Sequence, residues 1–247
     1  MTSPFSLAGR KALVTGANTG LGQAIAVALA RAGAEVICAA RRDCDQTLEM
    51  IRALGGRGDF LRLDLTDPMA AQALFAGSGF DILVNNAGLI RRADAVDFTE
   101  ADWDAVMDVN LKAVFFTCQA FAREVMARGG TGKIVNIASL LSFQGGVRVP
   151  SYTASKHGVA GLTRLLANEW SARGINVNAI APGYIETNNT EALRADPERS
   201  AAILARIPAG RWGRPEDISG TAVYLCSPAA EYVHGVVLNV DGGWLAR

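Results

Sequence analysis

Residues 11–33 read KALVTGANTGLGQAIAVALARAG. The opening apolar run is a strand; after the turn, Leu21, Ile25, Ala28, Leu29 and Ala32 recur at helical spacing as far as Gly33. The intervening Thr15-Gly16-Ala17-Asn18-Thr19-Gly20-Leu21-Gly22 is a glycine turn. Glycines admit positive φ and a close approach of backbone to ligand, while the amides and dipole of the following helix N-terminus attract a pyrophosphate. The spacing G-x-x-x-G-x-G differs from the commoner G-x-G-x-x-G fingerprint, and a turn that only allows tight strand–helix packing would read the same way. Its position at the head of the first strand–helix unit favours a dinucleotide site.

Further units follow the same rhythm. A strand at 35–40 ends in Arg41-Arg42, a helix covers 44–54, and strands at 60–63 and 80–84 run into Asp64-Leu65 and Asn85-Asn86-Ala87-Gly88. Residues 99–130 read as one or two helices whose apolar stripe Asn110 interrupts; a buried amide needs partners, so Asn110 stabilises a kink or serves a site. A strand at 133–138 ends at Ser139, a helix carrying Tyr152 and Lys156 runs to about residue 173 with Gly174 as its stop, and a strand at 176–180 precedes Pro182-Gly183. The excursion 184–214 holds short helices and has the length of a lid. A helix at 215–226 and a strand at 236–240 close the chain. This alternation predicts an α/β fold, a doubly wound parallel sheet of Rossmann type in one domain over 1–247.

Composition narrows the partners. Half of the 247 residues are hydrophobic, ample for a core, and the formal net charge is zero, so nothing suggests a grip on nucleic acid or an anionic membrane. The apolar run 24–30 is far shorter than the roughly 20 residues of a membrane span. MTSPFSLAGRK lacks the basic-then-apolar pattern of a secretory signal, so the expected location is the cytoplasm. Cys38, Cys44, Cys118 and Cys226 lack C-x-x-C spacing, and with two histidines they predict reduced thiols rather than a metal site or disulfides.

Tyr152 and Lys156 stand four residues apart, one turn along one helix face. A free phenol titrates near about 10, and moving it about three units toward neutrality needs roughly 4 kcal/mol, which a partly desolvated ammonium beside a charged cofactor can supply. An ordinary exposed pair would look identical. Ser139 lies at the carboxyl end of a strand, where open α/β sheets bind ligands. Beyond the second strand, the absence of an acid at Ala39 or Ala40 and the presence of Arg41 lean toward a 2'-phosphate and NADP over NAD.

Taken in order, TGANTGLG, NNAG at 85–88, Asn110, Ser139, Tyr152-x-x-x-Lys156, and PG at 182–183 followed by Thr187 resemble the short-chain dehydrogenase/reductase family across the full length. The resemblance implies that Tyr152 is the general acid/base, that Lys156 lowers its pKa and holds the nicotinamide ribose, that Ser139 polarises the substrate oxygen, and that Asn110 holds a water in a proton relay. It places Gly16, Thr19, Gly20, Leu21 and Gly22 at the diphosphate of NAD or NADP. Asn86, Ala87 and Gly88 fall beside the adenosine and ribose, and Pro182, Gly183, Ile185 and Thr187 at the nicotinamide. Asp64 and Leu65 fall near the adenine. A homotetramer is also implied. NNAGLIRR, SFQGGVRVPSYTASK, LLANEW, NVNAIAPGYIETNNTEALRAD, RIPAGRWG and DGGWLAR resemble members that interconvert a secondary alcohol and a ketone on a keto-deoxy sugar acid. Such a small-molecule substrate carries a carboxylate, so the pocket should hold an arginine: Arg148 first, then Arg91 or Arg92. Gln144, Asn188, Asn189 and Trp212 are candidates for its other oxygens. A 3-oxoacyl carrier-protein reductase shares the same core residues, and a cofactor-sensing protein without catalysis is the contrasting class.

Overall fold

A computed structural model describes residues 3–247. Strands β1 (Lys11–Thr15), β2 (Glu35–Ala40), β3 (Arg57–Arg62), β4 (Ile82–Asn85), β5 (Gly132–Ile137), β6 (Ile175–Pro182) and β7 (Val237–Val240) form one sheet in the order β3-β2-β1-β4-β5-β6-β7. Every adjacent pair is parallel. The order reverses at β1, which pairs with β2 on one side and β4 on the other, and that reversal opens a crevice at the carboxyl ends of the strands. The chain is thus a single doubly wound domain.

Helices cover both faces. Ala12 and Val14 of β1 point to the side covered by α1 (Gly20–Arg31), α2 (Asp45–Ala53) and the helix at Pro215–Cys226, while Leu13 points to the other, and this is why β1 reads as continuously apolar. The second face carries α3 (Glu100–Met107), α4 (Ala113–Ala127) and α5 (Pro150–Trp170), with Phe121 of α4 packed edge-on against Phe75 at 5.9 Å. Two short helices, α6 (Glu191–Ala195) and α7 (Pro197–Leu204), lie in the 184–214 excursion, and α8 (Pro215–Cys226) follows it. The excursion is pinned at its exit. Asp217 accepts two hydrogen bonds from the Arg211 guanidinium, at 2.7 and 2.9 Å, and one from the Arg214 amide at 2.7 Å. That Arg211 pairing, followed by the Arg214 amide, holds the Asp217 carboxyl down at about 2.

Several boundaries differ from the sequence expectation for physical reasons. β3 begins at Arg57 rather than residue 60, because its polar start pairs in register with Glu35 and the Arg57 guanidinium reaches that carboxylate at 3.9 Å. The strand at 80–84 shifts to Ile82–Asn85, since the carbonyl of Phe80 is taken by Arg128 at 2.6 Å. β6 extends to Pro182 as a fully buried strand between β5 and β7. Residues 99–130 break into α3 and α4 at a π-helical turn, Asp108–Lys112, centred on Asn110. All four cysteines are buried and unpaired. No helix among the described residues is long and apolar enough to cross a membrane.

The tightest joint lies where β1 meets α1. A Cβ on Gly22 would collide with the Gly16 carbonyl and with the Asn86 side-chain amide. Gly22→Ala is therefore expected to lower unfolding stability by about 1–3 kcal/mol, the usual range for overpacking, and to weaken dinucleotide binding; denaturant unfolding and a fluorescence titration with NADPH check both.

Candidate active site

The glycine turn is shaped by its backbone. Gly16 and Gly20 take φ of 65° and 59°, and the Gly16 amide donates to the Ala39 carbonyl at 2.7 Å. Thr19 flanks α1 without a side-chain cap, and no acidic residue stands in the first helical turn, so the helix N-terminus presents its amides and positive dipole uncompensated. Those features fit a dinucleotide diphosphate. Thr15 and Asn86 fasten the turn to the next strand end: the Thr15 hydroxyl accepts from the amides of Asn86 and Ala87, both at 3.0 Å, and Asn86 Nδ2 donates to the carbonyls of Thr15 at 2.9 Å and Gly16 at 3.2 Å. The Asn86 amide thus builds the turn.

A cleft of about 400 Å³ runs along the carboxyl ends of the strands. Gly16, Thr19, Gly20 and Leu21 line it at the turn; Arg41, Asp64 and Leu65 line the far end with Arg42 and Thr66; Asn86, Ala87 and Gly88 form its floor. Asp64 is held below the ordinary carboxylate range, first by the Thr66 amide, with the Thr66 hydroxyl and Arg41 assisting. Ala39 and Ala40 also face the cleft, so no carboxylate stands at the end of β2 where a ribose 2'-hydroxyl would be read. At the other end come Tyr152, Lys156, Thr187, Asn188 and Asn189. Gly22, Pro182, Gly183 and Ile185 lie behind the wall, where a Cβ on Gly183 would stand 2.6 Å from the Asp241 Cα.

Ser139 ends β5, and its hydroxyl accepts from the Leu141 amide at 3.1 Å. Lys156 is 5 % exposed; its Nζ donates to the Ile137 carbonyl at 2.6 Å and lies 5.5 Å from the Tyr152 ring centre. Burial pulls the ammonium down to about 8. Tyr152 keeps part of its surface on the cleft, yet burial raises its phenol above the ordinary value, opposed by the Ser139 hydroxyl and then by the charge of Arg92. In the protein alone the Lys156 ammonium donates to Ile137, and the downward pull on the phenol comes from Ser139 and Arg92. Asn110 accepts from the Leu89 amide at 2.9 Å, and its Nδ2 donates to the Leu89 carbonyl at 2.9 Å and the Ser155 hydroxyl at 3.4 Å. Its side chain ties the π turn to the loop after Gly88 and to α5.

The substrate candidates divide. Asn188 and Asn189 reach the cleft; Gln144, Arg148 and Trp212 do not line it. Arg148 is engaged elsewhere: its exposed guanidinium pairs with Asp94 at 3.0 Å, on a backbone with φ of 62°. Arg91 pairs with Asp102 at 3.1 Å, which leaves Arg92, donating to the Asn189 carbonyl at 3.2 Å, as the arginine of the three without a carboxylate partner among the described residues. Trp212 is also engaged elsewhere. It is 8 % exposed and packs edge-on against Tyr184 at 5.6 Å as a brace of the excursion. Sequence reading missed Asn18 as a cleft residue although it stands inside the glycine turn.

A parallel sheet reversing at β1, a glycine turn opening α1, Tyr152 and Lys156 at one end of the same cleft, and the Ser139 hydroxyl beside the Tyr152 phenol define a Rossmann-type oxidoreductase. A family model described as enoyl-(acyl carrier protein) reductase matches residues 16–245. The chain belongs to the short-chain dehydrogenase/reductase family. It is 56 % identical to 2-dehydro-3-deoxy-D-gluconate 5-dehydrogenase of Escherichia coli K12 over 99 % of each chain. Against the enzyme of that description from Bacillus subtilis 168 the identity is 54 %, over 98 % of this chain and 97 % of that one. A crystal structure from Agrobacterium tumefaciens, provisionally described as a 2-deoxy-D-gluconate 3-dehydrogenase with bound NADP, superposes with a TM-score of 0.98 at 74 % identity, covering 99 % of this chain and 100 % of that one.

Burial of Lys156 sets a pH signature. Its folded value of about 8 lies below the ordinary 10.5, so between those values the unfolded chain binds the extra proton and stability rises with pH. Lys156→Met is expected to abolish this rise, to melt at a higher temperature near pH 7, and to lose activity by about 10²-fold or more; thermal melts from pH 7 to 10 beside steady-state rates check it.

Proposed function

We propose that the protein transfers a hydride between NADP and the secondary alcohol or ketone of a keto-deoxy sugar acid, as its curated relatives' descriptions suggest. The observation that carries this is the single cleft joining the Arg41 end to Tyr152 and Lys156. A bound nicotinamide dinucleotide supplies the hydride chemistry. The turn residues Gly16, Thr19, Gly20 and Leu21 hold the diphosphate on the α1 amides, and Arg41 meets a 2'-phosphate at a strand end without an acid. Tyr152 gives its proton to the substrate oxygen in reduction and takes it back in oxidation. Ser139 donates to the same oxygen where charge develops, and Lys156 supports the phenolate and the ribose. Asn110 fixes the π turn beside α5 from which a proton path leads outward.

Arg92 takes the substrate carboxylate. Its charge is felt at the Tyr152 phenol and its hydrogen bond reaches the excursion at Asn189, so it borders both the reacting end and the segment 184–214, which acts as substrate lid. The exposed apolar groove of Met107, Leu111, Phe115, Phe116 and Leu162 supports a homotetramer, and the composition supports a cytoplasmic enzyme.

The test follows reduced-nicotinamide absorbance, with NAD and NADP in turn, across sugar acids, neutral polyols and an acetoacetyl thioester. Sugar-acid turnover with NADP is expected; turnover of the thioester alone overturns the assignment in favour of a carrier-protein reductase. Arg92→Ala should raise KM for the sugar acid about tenfold or more while sparing a neutral ketone, whereas Arg148→Ala should stay within about twofold, as exposed pairs do. Arg41→Ala should weaken NADP selectively; equal losses with both cofactors would remove Arg41 from phosphate recognition.

A further inference from the structure

The indole Nε1 of Trp244 donates to Gln144 Oε1 at 3.2 Å, joining residues one hundred positions apart in the chain. An indole N–H is a donor only, so the amide must present its oxygen to it. The planar group then turns its NH2 the other way, and that NH2 makes no hydrogen bond within the described residues. Trp244 has little freedom to yield. It is 4 % exposed, with the Arg206 guanidinium 4.0 Å above its ring, the Tyr184 ring at 4.7 Å, and Leu140 and Ile207 packed beside it.

The placement is built by the C-terminal turn. Gly242 and Gly243 take φ of 65° and 89°, Asp241 accepts from the amides of Gly243 and Leu245 at 2.9 and 3.0 Å, and the Ala209 amide donates to the Gly242 carbonyl at 3.0 Å. The tail therefore crosses the exit of the excursion and meets the turn after Ser139, where the Gln144 amide donates to the Leu140 carbonyl at 3.2 Å. Tyr184 follows Pro182-Gly183 directly. The Gln144–Trp244 pair thus sits between the two segments that carry the reacting end, yet off the wall of the dinucleotide cleft.

We propose that Trp244 is a positioning residue that locks the Gln144 amide with its NH2 toward the substrate, so that this position reads an acceptor-only oxygen, a carboxylate or keto oxygen. The proposal rests on the sugar-acid reading above. A mobile amide would offer oxygen or nitrogen equally; a locked one offers two donors and discriminates between substrates by the partner it leaves unpaired.

Steady-state kinetics of Trp244→Phe, Gln144→Ala, the double variant and Gln144→Glu test it on the panel member that the parent enzyme turns over fastest. Phe keeps an aromatic ring against Arg206 and Tyr184 and removes the N–H together with part of the indole's volume. Each single variant should raise KM about three- to tenfold, the worth of one hydrogen bond, with kcat and NADP affinity near the parent values, and the double variant should be no worse than Gln144→Ala. Gln144→Glu still accepts from the indole but turns an oxygen to the substrate, and should raise KM at least tenfold beyond Gln144→Ala. Multiplicative effects in the double variant, or a Gln144→Glu KM no higher than that of Gln144→Ala, overturn the proposal; if Trp244→Phe does not fold, the Gln144→Glu comparison decides alone. Failure of the sugar-acid reading shows separately, as a parent enzyme that turns over no sugar acid.

Discussion

The contact between the Gly16 carbonyl and the α-carbon of Gly22 is the constraint on which the rest of the molecule depends. With no side chain at Gly22, α1 starts against the end of β1, and the space left is just that filled by the Asn86 amide. Asn86 in turn is held by Thr15, so the end of β4 is locked to the end of β1 across the point where strand order reverses. The cleft exists because these strand ends are held at this spacing while the helices depart to opposite faces. Everything a dinucleotide needs at its middle follows from backbone placement rather than from charged side chains, consistent with a chain whose formal charges cancel.

Much of this was legible in the sequence, because it is written in local signals. Periodicity placed β1, α1 and α5, the glycine turn marked the strand–helix joint, and the four-residue spacing put Tyr152 and Lys156 on one face. Even Asn110, read as a buried amide needing partners, proved to be one: it closes on Leu89 across a π turn that interrupts the helix around it. The polar half of β3 was not legible, since only pairing with Glu35 and its neighbours in β2 makes Arg57, Gly58 and Asp59 a strand.

The choice among arginines was illegible for a different reason. Arg91, Arg92 and Arg148 are equivalent as residue types, and what separates them is which found a carboxylate: Asp94 sits on a neighbouring loop and Asp102 on α3, and nothing in the spacing indicates which guanidinium each would take. Trp212 and Trp244 show the same limit. Both are tryptophans in glycine-flanked loops, yet one braces Tyr184 from the side and the other reaches back to Gln144, a partner fixed only by the fold of the C-terminal turn. Specificity in this architecture resides in contacts between loops far apart in sequence, whereas the chemistry resides in contiguous motifs.

These two parts also differ energetically. Around Thr15 and Asn86 every polar atom named has a partner, the condition expected of a scaffold. Between Ser139 and Lys156 the opposite holds. Ser151 Oγ is a buried side-chain atom without a partner, Arg148 is the one non-glycine residue with positive φ among the described residues, Lys156 is a buried ammonium pulled down to about 8, and Tyr152 is raised by the same enclosure. The unpartnered hydroxyl, the positive φ and the buried ammonium are each unfavourable for folding alone, and all four features fall within one short segment. The segment persists because its flanks do not share the strain: β5 is buried between β4 and β6, and α5 continues well beyond Lys156 with Val159, Ala160, Thr163 and Leu166 packed inward. A group whose charged form is disfavoured in the protein alone gains most from a bound partner that restores its charge or completes its hydrogen bonds. Concentrating such groups next to Tyr152 therefore turns the energy of ligand binding toward the atoms that react.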